Sequence, residues 1–466
     1  MRPLVWHGWM MLLALTAVHS TAAWVHPFSA QGADLVPVGV AKIDITPETP
    51  VRMYGYAART TESEGIAGRL YASAMAIGGD DGEGPAVLLT VDCGAVPREL
   101  TESVLQRIQS THPLKPERFQ LCHSHNHSGP NLRWQSGIEG QQRQRLIQYA
   151  EWLTDRLEQV VREALDSRQP ARLAWTQGRV GFAANRRVLK DGKWVGFGAV
   201  PEGAVDHSLP LLCVTDAEGN KLSVVVNYAC HATTLRGNFR QIHGDWVTCA
   251  QEAIQADFPG TIALVTIGCG ADADPHPHGT VPLCEQHGRA VADEVQRLLD
   301  GPLRPISGAI TARTATLEIP FQPAPSAEEQ ERLAKTSYAV KRLMSQQQRG
   351  EQPAESRSFH IATWTFGDDL AMVFFSDEVV VDYALRLKRE FDADRLWVTA
   401  YAGDVSGYIV SERLLSEGGY EVNNSLSHVV TYGQPHLLRP AMEDRVMQAL
   451  HALLPATFRA DDTTAR

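Results

Sequence analysis

Three histidines alternate along one short stretch of the chain, at His123, His125 and His127. In extended backbone, residues two apart project to the same side, so the three imidazoles could face one site. Neutral imidazole is the commonest protein ligand for zinc. The Ser-Gly-Pro sequence at 128–130 ends the preceding apolar run abruptly, as active-site loops often do. The stretch therefore predicts a metal site, with a solvated loop as the alternative.

Further polar side chains follow other apolar runs and could complete such a site. They are His231, the pair Asp272 and Asp274, Glu378, and Tyr408. Each has an ordinary interpretation: a core or turn histidine, an Asx-turn pair, a helix-capping acid. Ligands collect at strand ends in α/β sheets, however, and these residues all follow strand-like segments. We therefore expect them to surround one site.

The elements that must position these residues alternate between strand-like and helix-like patterns. Strands are predicted at 86–92, 119–122, 171–176, 209–215, 222–229, 261–267, 308–319, 360–375 and 396–401. Helices are predicted at 99–110, 141–167, 245–256, 282–299, 326–346, 379–391 and 440–453. The alternation predicts an α/β fold: one large, layered mixed-sheet domain whose active site lies in strand-end loops.

Composition excludes several classes of protein. The 466 residues are 44% hydrophobic and 21% charged, which is ordinary for a globular chain. The net charge is −11 and no long basic run occurs, so a nucleic-acid partner is not expected. At most, peripheral contact with a membrane is expected.

The first 23 residues have the pattern of an export signal. Arg2 precedes an apolar stretch at 9–18 and a small-residue run at 20–23. The stretch is too short to span a bilayer, which takes about 20 apolar residues. We expect a cleaved signal peptide over 1–23 and a periplasmic or secreted protein, with a retained anchor as the alternative.

Several motifs resemble those of the neutral/alkaline (non-lysosomal) ceramidase family. Asp44-Ile45-Thr46-Pro47 is similar to the family's D-I-T opening, and the sequence H-N-H-S-G-P at 125–130 resembles its H-T-H-S-G-P. The resemblance continues in order through His231, Gly244-Asp245, Asp272 to Pro275, Asp377-Glu378, Gly407-Tyr408 and 417–421. It implies a ceramidase-like catalytic domain over 36–457 and a tail over 458–466. It also implies that the immunoglobulin-like C-terminal domain typical of the family is missing.

The resemblance implies a zinc site formed by His125, His231, Glu378 and Tyr408, with His127 beside it. Two imidazoles, a carboxylate and a weakly bound phenol leave room for a water or a substrate carbonyl. Zinc lowers the pKa of such a water and polarises the carbonyl.

The remaining catalytic roles implied by the resemblance fall to His127, Arg186, Asp272 and Asp274. His127 or Arg186 would donate a hydrogen bond to the tetrahedral oxyanion. The family has a serine, proposed as nucleophile, where this chain has Asp274 before Pro275. Serine-centred acyl transfer is therefore not expected here, and Asp274 or Asp272 would act as base.

The predicted function is an exported zinc-dependent hydrolase that cleaves a C–N amide bond. Its substrate would be a linear amide, either N-acylsphingosine, as in sphingolipid metabolism, or a related small-molecule or lipid amide. One alternative is a metal-dependent esterase or phosphoesterase, since Asp272 and Asp274 would suit a second, harder metal ion. Another is a non-catalytic binding protein on the same fold. Metal identity and oligomeric state stay open.

Overall fold

The fold is described from a computed structural model. The structure describes residues 34–56, 58–132, 138–320, 326–335, 344–345, 347–350, 356–424 and 441–460. The expected signal peptide, 1–23, lies outside the described residues, as do positions 461–466 of the expected tail.

The described chain contains both strands and helices, and the longest helix, α2, has 27 residues. The strands are β1 (Val36–Asp44), β2 (Tyr71–Ile77), β3 (Ala86–Val91), β4 (Phe119–His123), β5 (Gln169–Arg179), β6 (Ala183–Lys190), β7 (Lys193–Val200), β8 (Ser208–Asp216), β9 (Lys221–Tyr228), β10 (Ile262–Ile267), β11 (Ala273–Pro275), β12 (Arg304–Ile306), β13 (Ile310–Pro320), β14 (Ser356–Phe366), β15 (Leu370–Phe375), β16 (Glu378–Val379), β17 (Leu396–Thr399) and β18 (Tyr408–Ile409). The α-helices are α1 (Arg98–Gln109), α2 (Gly140–Asp166), α3 (Asp245–Asp257), α4 (Val281–Leu299), α5 (Ala327–Ala334), α6 (Val381–Glu390), α7 (Glu412–Glu417), α8 (Tyr420–Asn424) and α9 (Met442–Leu453).

The strands of the described residues form four sheets. The largest has the order β10-β9-β8-β5-β1-β2-β3-β4, with β12 paired to β5. A second sheet has the order β13-β14-β15-β17, a third β11-β6-β7, and a two-stranded ladder joins β16 to β18. Parallel and antiparallel pairs mix: β3 with β4 and β9 with β10 run parallel, whereas β8 with β9 is antiparallel.

The two larger sheets pack face to face between layers of helices. In β9, Val224 and Val226 join the core under α3 and α4, whereas Val225 joins the core shared with the second sheet. In β15, Met372 faces that same inner core, and Val373 packs with α6 and α9. Because both faces of these strands are buried, their sequences are continuous apolar runs. The result is a four-layer helix, sheet, sheet, helix arrangement.

The twist of the large sheet gathers its strand ends. Following the pairings, β4 runs opposite to β9 and β10 in the sheet. Strands rotate by roughly 20–25° per neighbour, which over seven steps approaches a half turn. The edge strands β4 and β10 consequently contact each other. Loops that leave the carboxyl ends of β4, β9 and β10 therefore meet on one side of the molecule.

The fold class predicted from the sequence is confirmed, with differences in particular elements. The single strand predicted at 360–375 is a hairpin, β14 and β15, which turns at Gly367 with a φ of +50°. The helix predicted at 326–346 is described only as α5, Ala327–Ala334, and part of the remainder lies outside the described residues. Strands β1, β2, β6 and β7 and the short strands β11, β12, β16 and β18 were not predicted from the sequence. Within the described residues, no helix has the length and apolarity needed to cross a membrane.

Candidate metal centre and active site

His125 lies two residues beyond β4, in a backbone conformation that fixes its ring. Its φ is +51°, in the left-handed region that non-glycine residues rarely adopt. Its Nδ1 lies 2.8 Å from the carbonyl oxygen of Gly94. Since a carbonyl can only accept, Nδ1 carries the proton and Nε2 is left with a lone pair. The ring packs on Tyr401, with centroids 4.6 Å apart, so Nε2 has a fixed direction.

His231 follows β9 and is held in the same way. Its Nδ1 donates to the carbonyl oxygen of Gly270 at 2.8 Å, and its side chain is fully buried. The indole of Trp246 donates to the His231 carbonyl oxygen at 2.9 Å. Asp245 accepts from the backbone amides of residues 234 and 235, which fixes the loop that follows. Backbone carbonyls that orient ligating histidines are typical partners at metal sites.

Glu378 is placed by the loop between β15 and β16. Its neighbour Asp377, with a φ of +68°, accepts hydrogen bonds at Oδ1 from the backbone amides of Ser406 and Gly407 at 2.7 and 3.1 Å. These bonds tie the Glu378 loop to the one that leads into β18. In the parallel β16–β18 ladder, Glu378 is the direct register partner of Tyr408.

These elements bring three acceptor atoms together. The Oε2 atom of Glu378 lies 3.2 Å from Nε2 of His125 and 3.3 Å from Nε2 of His231. Burial lowers the pKa of His125 despite the nearby carboxylate, so its imidazole is neutral near pH 7. The contact between His125 and Glu378 is therefore not an ordinary salt bridge, because a lone pair on the imidazole faces the carboxylate.

The spacing of these acceptors suits a tetrahedral metal ion. With metal–ligand bonds of about 2.0–2.1 Å, neighbouring ligands of a tetrahedral zinc lie about 3.3 Å apart. The donor set of His125, His231 and Glu378 thus fits a divalent cation of that size. The ring nitrogens of His125, His127 and His231 also include ligand atoms that all lie within 4.8 Å of one another.

Tyr408, the register partner of Glu378, and Arg186 lie next to the three acceptors. Arg186 donates from Nη2 to the Tyr408 hydroxyl at 3.2 Å, from Nε to Glu421 at 2.9 Å, and from Nη1 to Asp274 at 3.1 Å. Burial would lower the pKa of Arg186, but Tyr408, Asp274 and Glu421 outweigh it, so the guanidinium stays charged. Burial, and then Glu378, raises the pKa of Tyr408 well above its ordinary value. Without a cation, Tyr408 is therefore a neutral phenol.

His127 lies beside the acceptors and faces the cavity. Its ring nitrogens are buried, and neither has a hydrogen-bond partner among the described residues. Burial, and then the imidazoles of His125 and His231, places the pKa of His127 well below its ordinary value. The ring packs at the edges of Tyr54 and Tyr56, with centroids 5.5 and 5.1 Å away. His127 is therefore a neutral imidazole with a free nitrogen for substrate or water.

Asp272 and Asp274 occupy different environments. Asp274 borders the cavity, and its carboxylate binds Arg186 through Oδ1 and Arg236 through Oδ2, each at 3.1 Å. Burial would raise its pKa, but Arg186, His231 and Arg236 outweigh burial and lower it far below the ordinary value. Such a carboxylate is a weak base, so the geometry does not favour proton abstraction by Asp274.

Asp272 is fully buried and does not border the cavity. It accepts from the backbone amide of Val381 at 2.9 Å, at the start of α6, and from the amide of Asn185 at 3.2 Å. Burial raises its pKa to about 6. Its contacts link β11 to α6, which favours a positioning role over contact with substrate.

His123 is not part of the group of histidines around the acceptors. It is the last residue of β4, and its ring centroid lies 6.2 Å from that of His125. The left-handed conformation at His125 ends the extended backbone, so the expected two-residue alternation does not continue past it.

A cavity of about 530 Å³ opens beside these groups. Its lining joins His127, Arg186, Asp274 and Tyr408 to aromatic side chains of the β6–β7 hairpin and of α8, at Phe197 and Tyr420. A cavity of this volume accommodates a drug-sized ligand. A neutral imidazole, a buried guanidinium and the phenol of Tyr408 therefore border one space, and the three acceptors lie behind them, outside the cavity lining.

Three contributing residues were not predicted to have a role in the site. Tyr401 stacks on His125, Asp377 ties two loops together, and Gly55 faces the ring of His127. A Cβ on Gly55 would lie 2.3 Å from Cγ of His127, and the glycine φ is +99°. Only the observation that Gly55 falls in a glycine-tyrosine-rich segment could have drawn attention to it.

Comparisons with known proteins concern the family and the fold of the chain. A family described as "Neutral/alkaline non-lysosomal ceramidase, N-terminal" matches residues 37–264. The neutral ceramidase of Pseudomonas aeruginosa has a similar structure, with a TM-score of 0.69 and 18% identity over 92% of this chain and 76% of that one. A second structure, a ceramidase complexed with C2, gives a TM-score of 0.67 and 17% identity over 93% and 78% of the two chains. The family resemblance and the fold expected from the sequence are both confirmed.

Proposed function

We propose that this protein is a metal-dependent hydrolase of a linear N-acyl amide. The proposal starts from the match of residues 37–264 to the neutral/alkaline non-lysosomal ceramidase family. The family supports hydrolase chemistry. The metal dependence, the metal's identity as zinc and the amide substrate are our proposals.

One observation carries the metal dependence. The Oε2 atom of Glu378 lies 3.2 Å from Nε2 of His125 and 3.3 Å from Nε2 of His231. In both imidazoles, Nδ1 donates its proton to a backbone carbonyl. Buried acceptors in such contact need a cation between them. We assign His125, His231, Glu378 and Tyr408 as ligands of a zinc ion. Zinc bound there would polarise the amide carbonyl and lower the pKa of a water molecule.

The surrounding residues would supply binding and proton transfer. His127, a neutral imidazole that borders the cavity, can take a proton from the attacking water and return it to the departing amine. Arg186 is permanently charged beside Tyr408 and can stabilise the developing oxyanion. Asp274 holds Arg186 and Arg236 in place, so its role is positioning.

The apolar part of the cavity suits an acyl chain. Phe197 and Tyr420 lie edge to face with centroids 4.9 Å apart, and Arg186 lies over both rings. Ceramide and other N-acyl lipids are candidates. The signal-like residues 1–23 support a role outside the cytoplasm. The apolar lining supports N-acyl lipids or their fragments as substrates.

Metal analysis together with amide hydrolysis tests the proposal. Purified protein should contain about one zinc per chain and release fatty acid from fluorescent N-acyl amides, and a chelator should abolish both. His125→Ala should lose metal and activity, whereas His451→Ala, which removes a distant histidine paired with Glu390, should retain them. Full activity in metal-free protein would contradict the proposal.

The alternative functions receive less support from the geometry. Asp272 and Asp274 do not face a common space, since one binds the start of α6 and the other binds two arginines. They therefore do not form a second metal site. Aryl esters and phosphate esters belong in the same substrate panel, and turnover of these without amide hydrolysis would replace our assignment. Ligand binding without any turnover would indicate a binding protein.

A further inference from the structure

A second arginine stands at the outer part of the cavity, and the proposed amide chemistry does not use it. Arg236 borders the cavity with 31% of its side chain exposed, compared with 13% for Asp274 and 8% for Arg186. The three side chains thus form a row from solvent towards Tyr408. Arg236 is the member of the row that an entering substrate meets first.

Arg236 is held firmly but retains donors for a ligand. Its Nη1 donates to Oδ2 of Asp274 at 3.1 Å, and its carbonyl oxygen accepts from Arg59 at 3.5 Å. It also interacts with the hydroxyl of Tyr56, whose pKa it lowers against the larger effect of burial. A guanidinium has five N–H donors in a planar fork. Asp274 and Tyr56 do not use all of them.

The neighbours of Arg236 make this end of the cavity favourable for an anion. His276 and His278 border the same space, and their ring centroids lie 6.5 Å apart. Asp274 is the one carboxylate among the described lining residues, and both of its oxygens are already bound by arginines. Desolvation, and then Arg236, lowers the pKa of His278, which places that imidazole within the field of the guanidinium.

The opposite side of Asp274 has different chemistry. Arg186, on Oδ1, is covered by Phe197 and Tyr420, whereas Arg236, on Oδ2, faces polar groups and solvent. The cavity is therefore amphipathic: one side suits an acyl chain, and the other suits an anionic group. A neutral sphingoid headgroup would offer no anion to the donors of Arg236 that Asp274 and Tyr56 leave unused.

We propose that Arg236 binds a carboxylate on the amine half of the substrate, so that the preferred substrates are N-acyl amino acids. This inference rests on the amidase function proposed above and names its substrate class. In the reaction, water adds across the C–N bond: the acyl carbon gains the hydroxyl, the nitrogen gains the proton, and a fatty acid and a free amino acid leave. Arginine binds carboxylates through two parallel N–H bonds, which lysine cannot reproduce.

A matched pair of substrates tests the inference. N-lauroylglycine and N-lauroylethanolamine share the acyl chain and the amide, but only the former carries a carboxylate. We expect wild-type kcat/KM to favour N-lauroylglycine by roughly ten- to a hundredfold, the range of a charge-assisted hydrogen bond. Arg236→Gln should raise KM for N-lauroylglycine by a similar factor and leave N-lauroylethanolamine nearly unchanged, and Arg236→Lys should recover part of the preference.

The control is Arg240→Gln, on the same loop, where Arg240 is half exposed and paired with Glu64. It should leave both substrates unaffected. Equal wild-type rates on the two amides, or an equal loss on both in Arg236→Gln, would overturn the inference while leaving the amidase proposal intact.

The inference stays testable if no amide is hydrolysed, an outcome that would refute the proposed function instead. Titration calorimetry of N-lauroylglycine into the protein as purified then measures binding without turnover. At least tenfold weaker binding by Arg236→Gln supports the site, and unchanged binding overturns it. Unfolding midpoints of all variants show whether the loss of a partner for Asp274 has destabilised the fold.

Discussion

Replacing Glu378 with glutamine should have opposite effects on stability with and without metal. In the wild-type protein, Glu378 Oε2 lies 3.2 and 3.3 Å from two imidazole nitrogens that carry lone pairs. Glutamine has the same shape but presents an NH₂ group with two donors. In Glu378→Gln, one N–H can reach His125 and the other His231, so two unfavourable contacts become hydrogen bonds.

The size of the effect follows from those contacts. Each new hydrogen bond contributes about 1 kcal/mol net, so metal-free Glu378→Gln should be about 2 kcal/mol more stable than metal-free wild type. Zinc at a thousandfold excess over its Kd adds about 4 kcal/mol to the wild type by mass action. The variant has lost the carboxylate ligand and should gain far less. The order of stability therefore reverses when metal is added.

Urea unfolding of both proteins, in chelator and in excess zinc, measures this reversal. Glu390→Gln is the matched control: it removes a carboxylate at the far end of α6, where Glu390 pairs with Arg386, and should respond to zinc like the wild type. A Glu378→Gln protein that is less stable than wild type under both conditions would show that the acceptors do not face one another as described. The reasoning about the metal site would then fail.

Three further predictions concern two residues of the site, Gly55 and Asp274, and the buried Asp92, which accepts hydrogen bonds from the side chains of Thr248 and Gln251. Gly55→Ala places a Cβ 2.3 Å from the ring of His127, so the ring must move and kcat should fall at least tenfold. The zinc content, measured by mass spectrometry, should stay constant. A normal kcat would contradict the packing described for Gly55 and His127. Burial raises the pKa of Asp92 to about 6, so the folded protein holds its proton more tightly than the unfolded chain. The free energy of unfolding should therefore fall as the pH rises from about 4 to 6, and this group should account for up to about 3 kcal/mol of the loss. Urea unfolding of Asp92→Asn should show a flatter pH dependence over that range. Asp274→Asn should lower the free energy of unfolding by about 3 kcal/mol, because it breaks the buried ion pair with Arg186. The acid limb of the pH–rate profile should stay in place in this variant. Loss of that limb would instead identify Asp274 as the base.

Sequence patterns were most informative where a local rule dominates. The apolar runs of β3, β9 and β10 and the helical periodicity of α2 and α4 gave the class of the fold, because burial on one or both faces imposes a repeat on the sequence. The strands β6 and β7 lacked that repeat. Their hairpin is half exposed, so nothing in its pattern marked Phe197 as part of a cavity wall.

The sequence by itself supplied the chemical groups of the candidate site: imidazoles after β4 and β9, a carboxylate after β15 and a phenol at β18. Tertiary structure alone decided which of them meet. The twist of the large sheet and the left-handed backbone at His125, Asp377 and Tyr401 determine where each side chain points. Those conformations are held by contacts between residues far apart in the chain, such as Asp377 with Ser406, and no local pattern of residues encodes them. For the same reason, Asp272 and Asp274, two residues apart, lie in opposite environments.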